Sequence, residues 1–146
     1  MIVTSILGNI KDFDTKGKTI DLVKISPDDR LKQVLRVRSV AGEEIGIRLD
    51  NTHLHNGDVL FENEKYVFVV DFLAQDVILI KPKDLDEMGF IAHSIGNKHI
   101  PAIIENGEII IEDDYLIIEW LSKCGFNYEK AKKVLSKALR HASHTH

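Results

Sequence analysis

A single cysteine, Cys124, stands in a chain of 146 residues, so no internal disulfide can form and a reducing compartment is the expected setting. Proline is scarce at three residues and glycine moderate at nine, which excludes collagen-like and low-complexity chains. No apolar run approaches the ~18 residues of a membrane span. The start, MIVTSILGNIKDFD, has no basic segment and its apolar stretch breaks at Gly8-Asn9, so it makes a poor secretory signal. A cytoplasmic protein is the expectation. Charge of one sign is also lacking: 19 Lys and Arg against 23 Asp and Glu leave a net charge of −4, no general attraction for nucleic acid or anionic lipid. Neither is expected as a partner.

Several catalytic signatures are missing too. There is no Gly-x-Ser-x-Gly elbow, no Cys-x-x-Cys and no glycine-rich phosphate loop. Cys124 falls at the predicted C-terminal end of a helix, where partial negative charge disfavours a thiolate. The acidic pairs Asp28-Asp29, Glu43-Glu44 and Glu112-Asp113-Asp114 lie in predicted turns, where solvated carboxylates are the ordinary explanation. Nothing here points to an enzyme.

What is present is 44% hydrophobic residues, enough for a core, arranged in two halves of different period. Before residue 83 the pattern is β. Met1 to Leu7, Thr19 to Ile25, Leu31 to Val40, Ile45 to Leu49, Val59 to Glu62 and Tyr66 to Phe72 read as strands between turn signals. The second half is mixed. Val77 to Ile80 is a strand, and Asp84 with Glu87 forms a capping box before a helix carrying Leu85, Met88, Ala92 and Ile95 on one stripe. Gly96-Asn97 supplies the left-handed backbone expected at its end. Ile100 to Glu105 and Glu108 to Ile111 form a hairpin about Asn106-Gly107, followed by a helix over Tyr115 to Lys123 with Leu116, Ile117, Trp120 and Leu121 available for packing. Tyr128 to Leu139 is a conflict: Ala, Lys and Leu favour helix, whereas a closing strand would complete a split βαβ arrangement. The predicted class is α+β, with an all-β domain over 1–74 and a second domain over 75–146.

Histidine is the remaining chemical signal, at seven residues. His53 and His55 would point to one side of an extended segment and could clamp a metal; a polar loop beside Asn56-Gly57 explains them equally well. His93 and His99 are six apart with the helix ending between them, and are not expected to share a face. His141, His144 and His146 crowd the last six residues, a composition suited to wrapping a divalent cation or simply to a solvated end.

The stretch Ser94-Ile95-Gly96-Asn97-Lys98-His99 resembles the (E)IGN(R/K)H hallmark of the urease accessory nickel chaperones, the UreE family. Similarity extends to Gly8-Asn9-Ile10, Glu44 to Leu49, Asn56-Gly57-Asp58-Val59-Leu60, Lys81-Pro82 and the histidine-containing C-terminus. The resemblance implies an N-terminal β domain of two small sheets and a C-terminal ferredoxin-like βαββαβ domain, with a strand within 128–139. It also implies a homodimer joined through the C-terminal domains. His99 would bind nickel against its symmetry mate, with His141, His144 and His146 as further ligands. The cargo would be Ni(II), with Zn(II) or Cu(II) as substitutes, passed to the urease apoprotein through the GTPase accessory protein.

Two departures stand out: Ile110 and Glu112 occupy the region where some relatives carry a second histidine pair, and Ser94 replaces the leading acidic residue. Physically, one imidazole cannot hold nickel, and a two-fold axis doubles it. Affinity alone would favour copper. The ligands must be neutral, so binding is expected to weaken below pH ~6.5. The rival readings are a non-enzymatic interaction module of a metalloenzyme assembly complex and a general nickel, zinc or copper binder; metal-dependent hydrolysis lacks an identifiable carboxylate base.

Overall fold

Buried and exposed side chains alternate along Thr19–Ile25, Val34–Arg38 and Glu44–Arg48, whereas Tyr66–Phe72 carries a buried run, and the computed structural model describes residues 1–139. The chain divides into two compact units, Met1–Leu73 and a second beginning at Ala74. In the first, β1 (Ile2–Val3), β2 (Gly8–Asn9), β3 (Thr19–Ile25), β4 (Val34–Arg38), β5 (Glu44–Arg48), β6 (Asp58–Glu62) and β7 (Tyr66–Phe72) form two sheets, ordered β1-β5-β4 and β2-β6-β7-β3. The apolar run at the start is not one strand: β1 pairs with β5 in one sheet and β2 with β6 in the other, so the segment between them passes from sheet to sheet. Val3, Ile45 and Ile47 from the first sheet meet Val23, Ile25, Phe68, Val70 and Phe72 from the second in one core.

The phase of β3 departs from its apolar content. Asp21, Val23 and Ile25 point inward, while Ile20 and Leu22 stay exposed. Asp21, only 5% exposed, accepts hydrogen bonds from the Ser39 hydroxyl at 2.7 Å and the Ala41 N–H at 3.0 Å. Ser39 in turn accepts from the Glu43 N–H at 2.9 Å, so a buried carboxylate ties β3 to the β4–β5 turn. Each polar group is satisfied, which is the condition for burying it.

The second unit runs β8 (Gln75–Ile80), α1 (Leu85–Asn97), β9 (Ala102–Glu105), β10 (Glu108–Glu112), α2 (Tyr115–Cys124) and β11 (Tyr128–Lys133), with the antiparallel sheet ordered β11-β8-β10-β9. This is the ferredoxin-like βαββαβ arrangement. Asn106 and Gly107 both have positive φ, 52° and 74°, as a two-residue hairpin turn of the primed type requires. The ambiguous segment is strand over Tyr128–Lys133. Its pairing with β8, from Tyr128↔Ile80 to Lys133↔Gln75, overrides local helix propensity. Its lysines suit an edge, where charge discourages further strand addition.

Ile78, Ile80, Ile109 and Ile111 on one sheet face pack against Ile91, Ile95, Ile117 and Leu121 of the helices. Val77, Leu79, Ile103 and Ile110 on the opposite face are covered by Leu135, with Leu139 packed alongside. Beyond β11 the chain therefore crosses that face, and Ser136 donates to the Glu105 carboxylate of β9 at 3.1 Å. Among the described residues, no helix is long and apolar enough to cross a membrane.

Candidate metal centre

The end of α1 determines where His99 stands. At the helix start, Asp84 accepts from the Glu87 N–H at 2.8 Å, while the Glu87 carboxylate reaches back to the Lys83 N–H at 3.3 Å, one residue beyond a strict capping box. The buried stripe is Ile91 and Ile95, with Met88 and Ala92 packed beside them; Leu85, expected on that stripe, is 87% exposed.

At the other end the left-handed residue is not Gly96 or Asn97, which complete the last helical turn, but His99, with φ 58°. The Ile100 N–H donates to the Ile95 carbonyl at 3.3 Å and the His99 N–H to the Gly96 carbonyl at 3.0 Å. These two bonds, six-to-one and five-to-two, define a Schellman cap, whose left-handed position is most often glycine. Ile95 is buried and Ile100 packs against the same core, providing the apolar clasp that accompanies such caps. A side chain in this conformation costs about 1 kcal/mol relative to glycine, and histidine is one of the few residue types enriched there.

The motif thus has a mechanical reading. Ile95 anchors the helix end in the core, Gly96 and Asn97 finish the turn, Lys98 is the cap, and His99 is thrown outward on a bent backbone. His99 is exposed. So is His93. Gly89 and Gly96, seven apart and hence on one face of α1, are both exposed, and no atom lies within 4 Å of where a Cβ would stand. His141, His144 and His146 lie outside the described residues.

Other acidic and sulfur groups singled out in the sequence have structural employment or none. Asp114 caps α2, accepting from the Leu116 N–H at 2.9 Å. Asp29 pairs with Lys32 at 2.7 Å, and that neighbour holds its carboxyl below the usual range. Ile110 is buried beneath Leu135, while Glu112, at the end of the same strand, is exposed. Cys124 is exposed and free. Among the described residues, no three His, Cys, Asp or Glu side chains are grouped to hold a metal ion. His53 and His55 are brought together, with ring centroids 4.8 Å apart, in the first unit.

A β domain of two sheets followed by a ferredoxin-like domain, with an imidazole at a left-handed helix cap, defines a class of small two-domain α+β protein. The family model for the UreE urease accessory protein N-terminal domain matches residues 3–73, and that for its C-terminal domain matches residues 75–146. The chain belongs to the UreE urease accessory protein family, a family of accessory proteins and not of enzymes. It is 40% identical to the urease accessory protein UreE of Staphylococcus saprophyticus, over 100% of this chain and 99% of that one. Identity to the protein of the same description is 41% in Bacillus cereus, covering 94% and 92% of the two chains. In Geobacillus kaustophilus it is 40%, covering 100% and 99%.

Proposed function

We propose that this chain is a cytoplasmic carrier of Ni(II) for urease assembly and binds the ion between the C-terminal domains of a homodimer. The observation that carries this reading is the left-handed, exposed His99: a strained position held by a residue whose main chemical asset is a neutral nitrogen ligand. One such imidazole per chain is too few for nickel, and an isologous contact supplies a second. Gly89 and Gly96 share an exposed face of α1 with His93 between them, each costing a helix about 1 kcal/mol against alanine with no crowding in the chain to explain it, and the contact is placed on that face.

His141, His144 and His146 are proposed as the further ligands. Ser136, which precedes them in the chain, donates to Glu105 of β9, the strand that follows His99. Ligands that come from a tail can be exchanged one at a time, which suits an ion that must be handed on. The recipients are the GTPase accessory protein and the urease apoprotein. The first domain, residues 1–74, offers a grip for a partner on its β1-β5-β4 sheet, where Ile2 and Val34 are 70% and 68% exposed. Zinc and copper would compete for the same nitrogens, copper most strongly.

Nickel calorimetry on the parent chain and His99→Ala tests the proposal. The parent should take up one tightly bound ion per two chains at the His99 site. His99→Ala should lose more than ~100-fold in affinity, since even removing a group that merely orients a metal ligand costs 10–100-fold. Unchanged affinity and stoichiometry in His99→Ala would overturn the proposal.

A further inference from the structure

We infer that His53 and His55 form a separate metal site in the first unit, taking a divalent late first-row transition ion such as Ni(II) through two imidazole nitrogens. The residues flank Leu54, which is 1% exposed and locked in the core, so both rings are turned to solvent. The loop that carries them is held firmly. The Asn9 side chain donates to the Asn56 carbonyl at 3.0 Å, the Gly57 N–H to the Val70 carbonyl at 2.9 Å, and the Phe72 N–H to the Asn56 side chain at 2.8 Å. Gly57, at φ 84°, has the Asn9 carboxamide oxygen 3.1 Å from where a Cβ would sit, so the turn is closed against change. Two ligands on a fixed loop lose little freedom on binding.

The ring geometry fits one ion. A nitrogen ligand stands about 2.0–2.1 Å from such a metal, which puts the ring centroid about 3.2 Å away. Two rings at 90–109° about the ion are then about 4.5–5.2 Å apart. The observed centroid separation is 4.8 Å, with the ring planes inclined by 35°.

The protonation pattern fits as well. His53 Nδ1 lies 3.0 Å from the Leu54 carbonyl, which only accepts, so the proton sits on Nδ1 and the Nε2 lone pair is free. His55 Nδ1 lies 3.8 Å from Asp58 Oδ2. That buried carboxylate accepts from the His55 N–H at 2.7 Å, and its other oxygen accepts from the Asn9 side chain at 3.3 Å. At 3.8 Å the carboxylate faces that nitrogen without a hydrogen bond, and Nε2, on the other side of the ring, is the nitrogen offered to metal. A backbone carbonyl such as that of Leu54 on His53 Nδ1 is a group that commonly orients histidine ligands. Water completes the coordination, and the site is an exchangeable one.

The test uses the full chain with His99, His141, His144 and His146 all changed to alanine, so the proposed interfacial set is absent and neither proposal's failure touches the other. Titrated with Ni(II) alone, this variant should bind one ion per chain. Paramagnetic nickel should broaden the imidazole NMR signals of His53 and His55 together. Adding His53→Ala or His55→Ala should weaken binding at least ~10-fold, whereas adding His93→Ala should leave it unchanged. Absence of nickel binding by the fourfold variant, or binding that survives both loop substitutions, would overturn the inference.

Discussion

His99→Gly should bind nickel more than ~100-fold more weakly and yet resist unfolding better than the parent, by about 1 kcal/mol. The two effects have separate causes. The imidazole is exposed and contributes no core packing, so its loss removes a ligand and little else from the fold. The backbone at φ 58° disfavours any side chain, and glycine releases that cost while keeping the bonds from Ile100 to Ile95 and from His99 to Gly96. Urea denaturation of the metal-free proteins at equal concentration gives the stability difference, and calorimetry gives the affinity. His99→Ala, which retains a Cβ at the same backbone angle, should show the binding loss without the gain. A glycine variant less stable than the parent would mean that His99 is not held against its backbone preference.

Ile95→Ala should have the largest effect on the fold, a loss of about 2–5 kcal/mol. Ile95 is 1% exposed, among Ile78, Ile80, Ile91, Ile109 and Ile111, and no neighbour can fill the space it leaves without breaking the sheet–helix contact. It is also the residue whose carbonyl receives the Ile100 N–H at 3.3 Å, so the cap that orients His99 is built on it. Nickel affinity should fall with stability, in contrast to the glycine substitution, where the two move oppositely. A urea midpoint displaced by less than 1 kcal/mol equivalent would place Ile95 outside the core on which the site rests.

Elements with strong local punctuation were legible in the sequence. Asp84 before α1, Asn106-Gly107 between β9 and β10, the alternation over Glu44–Arg48 and the apolar run of Tyr66–Phe72 each have one dominant local cause. The second unit's order, strand through helix to hairpin and helix, follows from them. Three features were less accessible. Burial of Asp21 instead of Leu22 is set by parallel pairing with β7 and by Ser39, eighteen residues away in the chain. The strand at Tyr128–Lys133 exists because β8 has a free edge, which no local propensity records. The cap at His99 depends on Ile95 and Ile100 closing over the same core, so two turn-forming residues that precede it remain helical.

The metal chemistry divides similarly. His99 was marked by the family motif and not by its spacing to other ligands, because among the described residues no group of three ligands gathers anywhere. The phase of His53-Leu54-His55 was readable as alternation, but the Leu54 carbonyl on the His53 ring and the Asp58 carboxylate on the His55 backbone N–H required the folded loop.

Anomalous scattering at the nickel edge from crystals of the nickel-loaded protein tests the shared site most directly. A peak is expected on a two-fold axis, about 2.1 Å from the imidazole nitrogens of His99 in both copies. A strong peak ligated entirely within one chain, with both His99 rings in solvent and no ion between them, would contradict it.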